Sequence, residues 1–168
     1  VIPDQVTRIA ADAAHRLIAA AAAARVTSNT PELIMDIFFE WDPGKYGLDV
    51  PDMDAEHQTL IGLMNSLHRL HQAGAGTPAL AKSLGEFLKF TVKHFADEEA
   101  YMARIDYPDL RVHAGVHKQL LARVGEFHTE FLRTGKLTDA FFMFLKTWLK
   151  AHICGIDAKY GNRSRRVA

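Results

Sequence analysis

Three breaks divide most of this chain into four long helix-forming stretches, and their placement limits the fold more than any other feature. Gly74, Gly76 and Pro78 make the first break, Tyr107-Pro108 the second and Thr134-Gly135 the third. Glycine loses the most backbone freedom in a helix and proline lacks the N–H that a helix interior uses, so both punctuate. The spacing predicts helices over 54–72, 78–105, 109–133 and 138–158. Each has one apolar face at 3–4 spacing. The first carries Leu60, Leu63, Met64, Leu67 and His71, and the second Leu80, Leu84, Phe87, Leu88, Thr91 and Phe95. Val116, Leu120, Leu121, Val124 and Phe127 mark the third, and Phe141, Phe144, Leu145, Trp148, Leu149 and Ile153 the fourth. A helix with one apolar face needs partners, and short connections make neighbours antiparallel. The expected fold is therefore all-α, an up-down-up-down four-helix bundle over 41–160. Thr77 before Pro78 is the expected N-cap of its helix.

Residues 1–40 read as an N-terminal helical extension. Over 4–26, Val6, Ala10, Ala13, Leu17, Ala20 and Ala24 repeat as a heptad seam. Alanine is so dense there that almost any register finds small residues, so a coiled coil and an accidental pattern are equally supported. Ser28-Asn29-Thr30-Pro31 is a stop, and Pro31 can open a short helix through Phe39. The Asp, Pro and Gly content from Trp41 to Asp54 predicts an irregular arm across the bundle. Residues 161–168 read as a basic, solvated tail around Arg163, Arg165 and Arg166.

Composition excludes some partners. Lys+Arg and Asp+Glu number 20 each, so no overall field favours nucleic acid or an anionic membrane. The apolar stretch from Ile18 to Ala24 is too short to span a bilayer. Cys154 stands alone, which allows no internal disulfide and fits a reducing, cytoplasmic setting; two residues after His152, it is expected to pack away from the helix's polar groups. A secretory n-region is missing, and the chain begins at Val1 without an initiator methionine, so Val1 is expected to lie inside a longer chain or to follow processing.

Seven polar residues fall at one end of this predicted bundle. His57 is early in the first helix, His94 and Glu98 late in the second, His113 and His117 early in the third, and His152 and Asp157 late in the fourth. In an antiparallel bundle those four places are neighbours. Residues four apart share a helix face, which suits His94/Glu98 and His113/His117. His152 and Asp157 are five apart, about 140° past a full turn, so Asp157 must reach from a flank or from a loosened helix end near Gly155. Imidazole with carboxylate suits a borderline divalent ion such as iron, zinc or manganese. Seven donors overfill one octahedral ion, and two ions fit better. Five imidazoles give five bonds, two bridging carboxylates give four, and a bridging oxo or hydroxo gives two, so eleven of twelve positions are filled. With His113, His117 and His152 on one ion and His57 and His94 on the other, the vacancy is on the His57/His94 side, with Glu98 and Asp157 bridging.

At these residues the chain resembles the hemerythrin family, in particular its bacterial members. The resemblance rests on Trp41-x4-Tyr46, Asp54-x2-His57-x2-Leu60, Asn65-x-Leu67, His94-Phe95-x2-Glu98-Glu99, Tyr107-Pro108, His113-x3-His117 and Trp148-Leu149-x2-His152-Ile153-x3-Asp157, and covers nearly three quarters of the chain. It implies a non-haem centre of two iron ions that binds O2 reversibly as both irons pass from ferrous to ferric. It also implies a hydrophobic O2 pocket at Phe95, Trp148, Leu149 and Ile153, and access for other small ligands such as NO or azide. Glu56, where the family often has glutamine, and the stretch before Trp41 depart from the pattern.

Three uses fit such a centre. The first is reversible O2 binding in the sensing domain of a larger, chemotaxis-type signalling protein, with 1–40 as linker to an upstream signalling region. The second is stand-alone storage or carriage of O2. The third, an enzyme consuming peroxide, NO or O2, is disfavoured because no dedicated acid–base pair is legible beside the site and the histidine-rich donor set lacks Glu-x-x-His motifs.

Overall fold

Proline stands in the first turn of three helices, where its missing N–H costs no helical bond. The computed structural model describes residues 37–167, all helix, turn and loop. The expected heptad over 4–26 and the short helix after Pro31 lie outside the described residues. Element α1 (Pro43–Tyr46) is a single turn, α2 spans Pro51–Gln72 and α3 spans Thr77–Arg104. Then come α4 (Leu110–Thr134), α5 (Asp139–His152), a π-helical turn at Ile153–Asp157, and α6 (Ala158–Val167). Helices α2 to α5 form the antiparallel bundle.

The arm differs from the irregular run expected over Trp41 to Asp54. Asp42 caps α1 by accepting from the Gly44 N–H at 2.9 Å, and α2 begins at Pro51. Two side chains of α2 hold the arm down. Asn65 pairs with both backbone groups of Phe39, at 3.0 and 2.8 Å, and Asp54 accepts from the Leu48 N–H at 2.8 Å.

Thr77 is not an N-cap. Gly76 takes that position, and the Thr77 hydroxyl donates instead to the Gly135 carbonyl at 3.2 Å, joining the start of α3 to the end of α4. Gly135 closes α4 in the left-handed conformation (φ 69°) that an L side chain adopts only at a cost, and its N–H donates to Phe131 O. Thr138 caps α5 by accepting from the Phe141 N–H at 3.3 Å.

The predicted stripes become the core. Leu60, Met64, Leu67, Leu84, Phe87, Leu120, Val124, Phe141 and Leu145 are buried, each contributing about 1.5–3 kcal/mol of transfer free energy. The last helix, expected to stop near 158, resumes as α6 after the π turn and takes in residues expected as a solvated tail. Arg163 donates to the carbonyls of Asp106 (3.1 Å) and Ile105 (3.4 Å), which the end of α3 leaves without helical partners.

Contact between α6 and the arm is close enough to require glycine. A Cβ on Gly161 would lie 2.9 Å from Leu48 O and 3.2 Å from Leu48 Cβ, whereas one on Gly155 would meet nothing within 4 Å. Gly161→Ala should therefore destabilise the fold by about 1–3 kcal/mol in urea unfolding. Gly155→Ala should change stability by no more than about 1 kcal/mol, in either direction. Equal effects of the two would contradict the close packing of α6.

Candidate metal centre

All seven predicted residues meet at one end of the bundle, and each is 3 % exposed or less. Burying so many polar groups in an apolar bundle is costly unless something satisfies them. Two clusters form, Glu98 with His113, His117 and His152, and Glu98 with His57 and His94, so Glu98 belongs to both. Asp157 spans them. Its Oδ2 lies 3.4 Å from His57 Nε2, and its Oδ1 lies 3.1 Å from His152 Nε2 and 3.3 Å from His113 Nε2.

The π turn explains how Asp157 gets there. An α-helix closes on the fourth residue and would swing a residue five positions on away from His152, but a π turn closes on the fifth. Residues Ile153–Asp157 make that one wide turn, with Gly155 at its middle. The loosened end expected near Gly155 is thus a specific backbone form. Cys154, expected to be a packed thiol, is instead exposed at this turn, with its Sγ 3.6 Å from Lys45 O.

Hydrogen bonding within the protein does not satisfy the cluster. His117 Nε2 lies 3.1 Å from His113 Nε2 and 3.0 Å from His152 Nε2, yet a ring nitrogen has one proton or one lone pair and can serve only one of them. Both oxygens of Glu98 and of Asp157 and both nitrogens of His57 lack an aligned hydrogen bond, although imidazole nitrogens approach to 3.0–3.5 Å. A cation fits what the protein leaves open. Metal–nitrogen bonds of about 2.1 Å at right angles place two nitrogens about 3.0 Å apart, whereas tetrahedral angles would place them about 3.4 Å apart. The observed 3.0 and 3.1 Å match adjacent corners of an octahedron.

Two carboxylates outside the seven set the ring tautomers. His94 Nδ1 donates to Glu56 Oε2 at 2.9 Å and His117 Nδ1 to Glu99 Oε1 at 2.8 Å, so that in the neutral ring each Nε2 is the lone pair facing inward. The His94 contact, helped by Lys93 and opposed by burial, holds the Glu56 carboxyl down at about 2. Glu56 was visible in the sequence only as a departure from glutamine, and Glu99 only as a motif letter. Tyr160 was not foreseen. It is fully buried three residues after Asp157, its ring centroid 5.9 Å from that of His113, and burial together with the Glu98 and Asp157 charges pushes its hydroxyl pKa up. Trp41 stacks near His57 at 6.4 Å, tying the arm to the site.

Among the four residues expected in an O2 pocket, Phe95 stacks on His117 (3.8 Å, 5°) and Trp148 on His152 (4.8 Å, 26°), while Leu149 and Ile153 are buried. Trp148 and Leu149 line a cavity of about 10 Å³ with Leu60, Met64, Phe87, Thr91 and Leu145. Phe95 and Ile153 do not line it. That volume is near the minimum for one small molecule. The Thr91 hydroxyl on its wall donates to Phe87 O at 2.8 Å, so it offers water little. His128, outside the site, is also buried, and burial pushes its pKa down.

An antiparallel helical bundle with two histidine–carboxylate clusters that share Glu98 and are spanned by Asp157 is the frame of a two-metal protein. The chain belongs to the hemerythrin family, matching the hemerythrin HHE cation binding domain over residues 48–163. It is 32% identical over 117 residues to a bacteriohemerythrin of Stenotrophomonas maltophilia, spanning 70% of this chain and 74% of that one. It is 33% identical over 122 residues to a myohemerythrin of Riftia pachyptila, spanning 73% and 90%. A solved wild-type hemerythrin superposes with a TM-score of 0.69 at 26% identity, covering 74% of this chain and 95% of that one. Hemerythrins bind O2 at a di-iron centre, and the His/Glu clusters here fit that cofactor. Among the described residues no helix is long and apolar enough to cross a membrane.

Protons compete with metal at this site. Burial pushes the His113 pKa down, but the Asp157 and Glu98 carboxylates outweigh it and raise it to about 9. A raised histidine stabilises the metal-free fold below its unfolded value near 6.5, and that contribution disappears as pH rises through about 9. A metal ion held by His113 would have to displace this proton. Apparent ferrous affinity should therefore rise about tenfold per pH unit from 7 towards 9 and then level off. Ferrous titrations at pH 7, 8 and 9 measure it, and a flat profile would exclude a protonated His113 in the metal-free protein.

Proposed function

We propose that His57, His94, Glu98, His113, His117, His152 and Asp157 hold two iron ions, with Glu98 and Asp157 bridging, and that the protein binds O2 reversibly there. When bound, the iron pair supplies two electrons to O2 and recovers them on release. What supports the assignment above all is Asp157, whose two oxygens face opposite clusters. His57 and His94 contribute fewer donors than His113, His117 and His152, so the open position belongs on their side.

The remaining residues keep the site dry. Phe95 and Trp148 cover the rings of His117 and His152, and Leu149 closes the apolar cavity. Excluding water slows proton delivery, which favours release of O2 over its reduction. The proton of Thr91 on the cavity wall is held by Phe87 O, so that hydroxyl is not free to deliver a proton, which speaks against turnover of peroxide, NO or O2.

Sensing within a larger signalling protein is the use we favour over storage. The arm at the N-terminal side of the bundle touches the site through Trp41 on His57 and is fixed to α2 by the paired Phe39–Asn65 hydrogen bonds. An element preceding the bundle would thus be tied to the ligand state of His57. Fast autoxidation, or a transducer encoded ahead of Val1, would favour sensing; slow autoxidation would favour storage.

Metal analysis with an optical spectrum tests the O2 reading. The anaerobic ferrous protein should contain about two irons per chain, gain a visible band in air and lose it under argon. One zinc per chain, or no O2-dependent change, would exclude the reading. Leu149→Ala should cost about 2–5 kcal/mol of stability and speed loss of the oxygenated spectrum. An unchanged rate would remove Leu149 as a barrier to water.

A further inference from the structure

The seven site residues are buried, but two carboxylates connect them to the surface, and the two are not equivalent. Glu56 accepts from His94 Nδ1 through Oε2, and its other oxygen, Oε1, meets Lys93 Nζ at 2.5 Å. Lys93 precedes His94 in sequence, and consecutive helical residues point about 100° apart, so Lys93 cannot itself face the site. It reaches instead across the seam between α3 and α2. Asp97, one turn further along α3, meets the same ammonium at 2.5 Å and orients it from its own helix. An unbroken path of Asp97, Lys93, Glu56 and His94 therefore runs from solvent to the site. On the opposite side Glu99 accepts from His117 Nδ1, and among the described residues no lysine or arginine forms an ion pair with it.

We propose that Lys93 is a positioning residue for the metal centre: by clamping Glu56 against His94 it keeps His94 Nε2 as a strong, inward-facing donor, so that the His57/His94 ion is retained through a surface ion pair. This rests on the reading of His57 and His94 as ligands. A carboxylate on Nδ1–H fixes the ring orientation and raises the donor strength of Nε2, and loss of such a partner weakens metal binding about 10–100-fold. Glu56 is only partly covered, 16% exposed, so without a cation across the seam it can turn to water and release the ring. An exposed ion pair adds little to folding, so the effect of Lys93 belongs at the metal and not in the fold.

Iron release from this chain tests the clamp. The protein is loaded anaerobically with ferrous iron and mixed with excess ferrous chelator, while the melting of each metal-free variant is recorded in parallel. Wild type should release its two irons in two phases. Glu56→Ala should speed one phase about 10–100-fold. Lys93→Gln should speed that same phase by less, Lys93→Arg should restore the wild-type rate, and Glu99→Ala should act on the other phase. Metal-free melting should be the same for wild type and both Lys93 variants. Wild-type release from Lys93→Gln, failure of Lys93→Arg to rescue, or equal acceleration of both phases would overturn the proposal. If the wild-type chain holds no iron pair, the ligand reading fails and the clamp fails with it.

Discussion

One carboxylate, that of Asp157, depends on more of the structure than any other group in the site. It is fully buried, and its two oxygens address opposite clusters. The position exists because α5 widens into a π turn directly after His152. That turn also starts α6, which brings Tyr160 beside His113 and Gly161 against Leu48 of the arm. A single departure from α-helical register thus sets a site group, the direction of the last helix and the seat of the arm.

Burial and charge then oppose each other. Five imidazoles and two carboxylates in a dry bundle end would disfavour folding if left to their own hydrogen bonds. Glu98 remains anionic despite its burial because His113 and His117 lie beside it, while burial, with the neighbouring His117 and His113 and against the Asp157 and Glu98 charges, drives the His152 pKa down to about 4. The metal-free cluster is therefore a mixture of protonated and neutral rings around two anions. Cations held at the same place would give these donors partners, and metal binding would then be coupled to folding. The outer carboxylates Glu56 and Glu99 turn two of the rings so that this exchange can occur.

Much of this was legible before any coordinates. Helix periodicity located the four bundle helices, and antiparallel order carried His57, His94, Glu98, His113 and His117 to one end, because those pairs obey α-helical spacing. Where spacing broke the rule, the sequence left the answer open: His152-x4-Asp157 violates an α-helix, and Gly155 hinted at a loosening without specifying a π turn. Local signals misled in three places. Thr77 resembles an N-cap but is drawn to Gly135, Cys154 lies on the far side from His152 as its spacing predicts but is exposed and not packed, and a basic C-terminal stretch concealed the buried Tyr160 and the capping Arg163. Glu56 and Glu99 were hidden for another reason, since a carboxylate's place in sequence, even directly before His57 as for Glu56, says nothing about which ring it meets in space.

Anomalous diffraction at the iron edge from crystals of the iron-loaded chain tests the central claim most directly. The account predicts two peaks, one enclosed by His57 and His94 and the other by His113, His117 and His152, with one Asp157 oxygen directed at each and the π turn intact at Ile153–Asp157. A single peak, or two peaks with Asp157 turned away from either, would contradict it.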